Sequence, residues 1–159
     1  MSSDEQFVVE VLRALRSVRL EAIFVGNMAA IMQGAPVTPQ TVDVLVRDTP
    51  ANRAKIERFA KALGRGRPAL ITELTRTLRL IGTTGISIDV LFDAIAGELS
   101  FASLRRRSVK VPVGDEIAIV ASLEDVIASK TAAGRPKDLA VLPILRDTLR
   151  VKWALENAE

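Results

Sequence analysis

Two aspartates stand where a carboxylate is costly. Asp43 sits in Val42-Asp43-Val44 and Asp89 in Ile88-Asp89-Val90, each inside an apolar, strand-like run. A carboxylate there needs an ion partner, a metal or an outlet to solvent. On neighbouring strands the two would converge on one cation. Oxygen-only ligation at the end of a sheet suits Mg or Mn beside phosphate groups. The same pattern also fits aspartates that face water or pair with a nearby arginine.

Three further stretches could touch a ligand. Gly26-Asn27 follows a short apolar run, where a glycine lets backbone approach a ligand and the next helix start favours a phosphate; it also reads as an ordinary turn. Lys130 to Asp138 places Lys130, Arg135 and Lys137 around a break fixed by Gly134 and Pro136. Those cations could hold a triphosphate, or Arg135 and Asp138 could simply tie two helices together. Arg105-Arg106-Arg107 with Lys110 could meet nucleic acid through charge. No aromatic residue accompanies it, so a solvated basic stretch is the better reading.

The elements that must position these residues can be read from periodicity. Residues 4–18 predict a helix, with Phe7, Val8, Val11, Leu12 and Leu15 on one side and a Ser3/Gln6 capping box. Ala22–Val25 reads as a buried strand, and Met28–Met32 as a short helix stopped by Gly34 and Pro36. Thr41–Arg47 predicts a strand with Val42, Val44 and Val46 on one face and Thr41, Asp43 and Leu45 on the other. Thr49-Pro50 opens a helix with the stripe Ile56, Phe59, Ala60 and Leu63, and a loop follows over 64–68. Residues 75–81 and 86–92 read as a hairpin around Gly82–Gly85. Residues 98–108 carry no clear period. Val109–Val113 and Glu116–Val120 suggest a strand pair, and Ser122 caps a helix to Lys130. Pro136 opens a last helix that Pro143 should break or kink. The order predicts a mixed α+β fold: a mixed β-sheet with helices packed on it, in one domain over 1–159.

Composition narrows the chemistry. The 159 residues contain no Cys and no His, which removes disulfides, thiolate zinc sites, histidine-ligated metals and Ser-His-Asp catalysis. There is no Tyr and one Trp, so no aromatic platform for stacking bases is expected. The formal charge of +3 is too small to argue for nucleic acid. The polar, acidic Met1–Gln6 lacks the features of a signal peptide, and no apolar run approaches a membrane span. The expectation is a cytoplasmic protein without a membrane partner.

Five stretches in order carry a resemblance: Phe24-Val25-Gly26-Asn27, Gln33-Gly34-Ala35-Pro36, Thr41–Val46, Ile88-Asp89-Val90-Leu91, and Ser122-Leu123-Glu124-Asp125-Val126-Ile127 running on to Lys130, Arg135, Lys137 and Asp138. Over residues 20–146 the chain resembles the nucleotidyltransferase superfamily, close to its minimal and AbiEii-toxin-like branch. The resemblance implies a nucleotidyltransferase-like fold. It also implies three carboxylates that hold two metal ions against a nucleotide's phosphates. Here one carboxylate is missing. The preferred alignment sets Thr41 and Asp43 on the family's Asp-x-Asp; the other makes Asp43 the first member and Leu45 the second. Asn27, Pro39 and Val141 are further departures. On this reading Asp43 and Asp89, with the Thr41 hydroxyl, offer one weak Mg or Mn site at best. Gly26, Asn27, Lys130, Arg135 and Lys137 would face a nucleoside triphosphate. The expected function is an impaired or inactive descendant that keeps a nucleotide pocket or a protein-partner role, for example in a toxin–antitoxin or regulatory pair. The alternative is an active enzyme transferring a nucleoside monophosphate to a protein, RNA or small molecule.

Overall fold

A computed structural model describes residues 1–64, 69–72, 77–80 and 86–158, with 69–72 as backbone. The elements run α1 (Ser3–Ser17), β1 (Ile23–Val25), α2 (Gly26–Met32), β2 (Thr41–Val46), α3 (Pro50–Ala62), β3 (Ala69–Thr72), β4 (Thr77–Leu80) and β5 (Ser87–Phe92). Then come β6 (Ala94–Ile95), β7 (Leu99–Ser100), α4 (Phe101–Arg106), β8 (Val109–Val113), β9 (Glu116–Val120), α5 (Leu123–Ala133) and α6 (Pro136–Glu156). Seven strands form one mixed sheet in the order β3-β4-β5-β2-β1-β9-β8, and β6 and β7 form a small ribbon. The expected mixed sheet with helices is therefore the observed fold.

The centre of the sheet is built from the most apolar runs. β2 lies between β1, which it pairs antiparallel, and β5, which it pairs parallel. Ile23, Val42, Val44, Leu45, Val46, Ile88 and Val90 are fully buried. Strands covered on both faces read as near-continuous Val/Ile/Leu, and in β2 and β5 only Thr41, Asp43, Ser87 and Asp89 are polar. α1 packs on β8, β9 and α3, whereas α2 packs on β1, β2 and α5, and α5 packs on α6. Phe24, Met28, Phe59, Leu104, Leu123 and Leu145 fill the space between layers.

Several local expectations are corrected. The cap of α1 lies one residue earlier than Ser3: the Ser2 hydroxyl accepts from the Glu5 amide at 3.2 Å. α2 begins at Gly26 rather than Met28, so Gly26-Asn27 opens the helix instead of forming a separate turn. The stretch without a clear period resolves into β7 and α4, capped by Ser100 accepting from the Ser103 amide. β3 has no counterpart among the expected elements. α6 does not break at Pro143; it runs on to Glu156. Proline removes one amide and crowds the carbonyl four residues back, at Leu139. Leu139 and Pro143 are both exposed, so water can satisfy that carbonyl, while buried Leu142 and Leu145 hold the helix across the proline. The predicted hairpin exists as β4 paired antiparallel with β5; its turn at 82–85 and the loop at 65–68 lie outside the described residues. Among the described residues no helix is long and apolar enough to cross a membrane.

Candidate functional site

The two aspartates meet as the sequence suggested. In the β2–β5 ladder Asp43 is the direct register partner of Asp89, and Thr41 that of Ser87. Registered neighbours on paired strands project to the same face, and their backbones lie about 4.8 Å apart. The row extends further: Arg79 on β4 is registered against Asp89, and Val25 on β1 against Asp43. Four adjacent strands thus carry Arg79, Asp89, Asp43 and Val25 side by side.

The two carboxylates have different surroundings. Asp89 is gripped by Arg79, whose Nε donates to Oδ1 at 2.8 Å and whose Nη2 donates to Oδ2 at 3.0 Å. Both oxygens of Asp89 are committed to this bidentate pair, the strongest geometry for an arginine and a carboxylate. Asp43 accepts from the Thr41 hydroxyl at 2.7 Å through Oδ1. Its other oxygen lies under the backbone of Gly26, where an added Cβ would stand 2.9 Å from Oδ2. Gly26 has φ +65°, so glycine is required there by conformation as well as by space. Burial raises the Asp43 pKa above 3.8, and the neighbouring Asp89 adds to the rise. The Thr41 hydrogen bond, Lys130 and Lys137 oppose it.

The facing wall comes from the junction of α5 and α6. Gly134, at φ +64°, ends α5, and Pro136 starts α6 in its first turn. In the first turn of α6 Asp138 is buried and bonded. It accepts from Arg135 Nε at 2.6 Å, from Arg135 Nη2 at 3.2 Å and from the Arg135 amide at 3.3 Å, and Lys130 Nζ stands 3.6 Å away. Burial pushes the Asp138 pKa up, but the Arg135 bonds and the charges of Arg135 and Lys130 outweigh it, and the net shift is downward. Burial also lowers the Lys130 pKa against the pull of Asp138. Lys137 makes no hydrogen bond or ion pair among the described residues and is exposed.

A cleft of about 310 Å³ lies between these walls, with Asn27, Thr41, Asp43, Lys130, Arg135 and Lys137 on its surface. Six of the eight residues singled out from sequence therefore share one cavity. Gly26 lies behind Asp43 as its backbone roof, and Asp89 is off the cleft wall, held by Arg79. Asn27 Oδ1 is buried without a hydrogen-bond partner among the described residues.

The residues present do not fit a pair of divalent ions. Both Asp89 oxygens are bonded to Arg79, Thr41 brings no charge, and among the described residues no group of three or more acidic, His or Cys side chains could hold a metal. Asp89 takes the alternative of pairing with a nearby arginine, although the sequence did not single out Arg79 as that partner. Sequence reasoning also missed the role of Arg107, whose Nε donates to buried Asp125 at 2.9 Å. Arg105 lies 3.5 Å from Glu21. The basic run 105–107 is therefore partly neutralised.

No family model matches the chain, and no curated protein matches it either. Solved structures do. The solution structure of the antibiotic-resistance factor ANT(2'')-Ia matches with a TM-score of 0.66 at 14% identity, covering 98% of this chain and 92% of that one. The crystal structure of ANT(2'')-Ia with adenylyl-2''-tobramycin matches at 0.64 and 14%, covering 98% of both chains. A Thermotoga maritima protein assigned as a nucleotidyltransferase matches at 0.62 and 17%, covering 99% and 97%. Over nearly its whole length, the chain has the nucleotidyltransferase fold.

Proposed function

We propose that this protein is a nucleotide-binding member of the nucleotidyltransferase fold with little or no transferase activity. The observation that supports this most directly is the split between its two walls. The cationic wall of Lys130, Arg135 and Lys137 faces an open cleft. The carboxylate wall opposite offers Asp43 with the uncharged Thr41 hydroxyl beside it, and Arg79 occupies Asp89. Phosphoryl-transfer catalysis depends on positioning and on neutralising charge over the transferred group, usually with metal ions. The cations on the cleft suit the binding half of that task, whereas the uncharged Thr41 and the arginine-bound Asp89 suit the metal-holding half poorly. A structural neighbour seen with an adenylated product makes a nucleoside triphosphate a reasonable first ligand to test.

What this chain's residues supply is charge and shape. Lys137, exposed and unpaired among the described residues, is the cation free to meet a phosphate, while Lys130 and Arg135 divide their charge between Asp138 and the cleft. Asn27 lends an amide at the inner edge.

The experiment is a transfer assay with each labelled nucleoside triphosphate and Mn²⁺, run on the wild type and on Thr41→Asp. Trapping the acceptor in a lysate covers protein, RNA and small molecules alike. The reading predicts no nucleotide transfer or release of pyrophosphate by the wild type. Metal-dependent turnover of any nucleotide by the wild type contradicts it and restores the active-enzyme alternative.

A further inference from the structure

We propose that Arg79 is a resident cation. Its guanidinium supplies from within the chain the positive charge that the Asp43/Asp89 pair would otherwise draw from a divalent ion, so the cleft takes phosphate groups without metal. The ligand class is a polyphosphate anion, such as the triphosphate of a nucleotide, in metal-free form. This rests on the reading of the cleft as a nucleotide site.

The geometry carries the inference. Arg79, Asp89 and Asp43 occupy consecutive register positions on β4, β5 and β2, on one face of the sheet. The guanidinium meets Asp89 at 2.8 and 3.0 Å with both forks engaged. The Asp89 side chain is only 12% exposed, and each of its oxygens already accepts a bond from the arginine, so a metal would compete with the guanidinium for them. A planar, permanently charged fork is well matched to a carboxylate and is not readily displaced. Asp43 lies within electrostatic reach of the same guanidinium.

Charge count points the same way. Lys130, Arg135 and Lys137 stand against Asp43 and Asp138 on the cleft surface, and Arg79 and Asp89 pair beside it. That is four cations against three carboxylates, an excess of one positive charge with no ion added. Removing Arg79 alone would abolish the excess and free Asp89. Removing Arg79 and the Asp89 charge together would keep it. The single and double variants therefore separate charge balance from any general damage to the site.

The test uses two probes, inorganic tripolyphosphate and Mn²⁺. Tripolyphosphate binding is titrated by calorimetry in excess EDTA and again with Mn²⁺ present. Mn²⁺ binding is followed by its paramagnetic resonance signal without anion. The wild type should bind tripolyphosphate equally in both conditions and take up no Mn²⁺. Arg79→Met should gain a Mn²⁺ site and bind tripolyphosphate in EDTA about tenfold more weakly, the scale of removing one charge-assisted interaction beside the site. Arg79→Met/Asp89→Asn should take up no Mn²⁺ and bind tripolyphosphate within about twofold of wild type. Stoichiometric Mn²⁺ on the wild type, or tripolyphosphate binding only when Mn²⁺ is added, overturns the proposal. Both readouts need only the wild type, so they decide even if Arg79→Met does not fold. If the wild type ignores tripolyphosphate in every condition, the nucleotide-site reading falls and the metal-free ligand class falls with it. The Mn²⁺ comparison then still decides whether Arg79 excludes metal.

Discussion

Replacing Gly26 by alanine should destabilise the protein through Asp43, and the size of the effect can be worked from two local terms. Gly26 has φ +65°, and a left-handed backbone costs a residue bearing a Cβ about 1–2 kcal/mol. The new Cβ would also stand 2.9 Å from Asp43 Oδ2, close enough that the carboxylate must shift against its Thr41 hydrogen bond. Off-rotamer displacement of this kind adds about 1 kcal/mol. The sum is about 2–3 kcal/mol. For 159 residues, an unfolding entropy of about 2.1 cal/mol/K per residue makes each kcal/mol worth about 3 °C, so Tm should fall by about 6–9 °C. Circular dichroism melts measure it. The clash term should vanish in an Asp43→Ala background, where Gly26→Ala should cost only its conformational share, about half as much. A Gly26→Ala protein melting within about 2 °C of wild type, or the same cost in both backgrounds, refutes the close packing of the glycine on the carboxylate.

Three other outcomes follow from the same site and its supports. Asp43→Asn should raise stability at neutral pH by about 1 kcal/mol, because it removes a charge that burial disfavours. Because burial raises the Asp43 pKa, the folded state holds the extra proton as pH climbs past 3.8; stability is lost through that interval, and the gain in Asp43→Asn should disappear in melts below it. Asp138→Asn should cost about 2 kcal/mol by weakening charged hydrogen bonds to Arg135. Its pKa is lowered, so the wild-type advantage is present above 3.8 and fades as pH falls toward the folded value; urea titrations across acid pH should show the two proteins converging. Ser2→Ala should cost about 1 kcal/mol and Ser3→Ala almost nothing, because only Ser2 caps α1.

How much of this is legible in the sequence depends on whether the signal is local. Asp43 and Asp89 are visible because each breaks an apolar strand, and pairing of β2 with β5 brings both to one register position. The cation cluster is visible because Gly134 and Pro136 punctuate it. Arg79 is not visible, because its role depends on register. A symmetric four-residue loop at 82–85 would set Arg79 against Ile88, whereas the observed ladder sets it against Asp89. A one-residue slip moves every side chain of a strand to the other face, and local turn chemistry does not fix that choice. Pro143 misleads for a related reason. The local rule predicts a break or a kink, and burial of Leu142 and Leu145 on either side of it carries α6 through without a break. The α1 cap is displaced by one residue because Ser2 and Ser3 offer the same chemistry, and only backbone geometry distinguishes them.

The central claim is that the cleft receives a nucleotide's phosphates. The most direct measurement is the melting temperature of the wild type with and without a nucleoside triphosphate at about a hundred times its dissociation constant. The nucleotide should be recovered intact and analysed afterwards. Binding at that ratio adds about 2.7 kcal/mol, which predicts a rise of about 8 °C and no hydrolysis or transfer. No rise with any nucleoside triphosphate, in EDTA or in Mn²⁺, would contradict the claim.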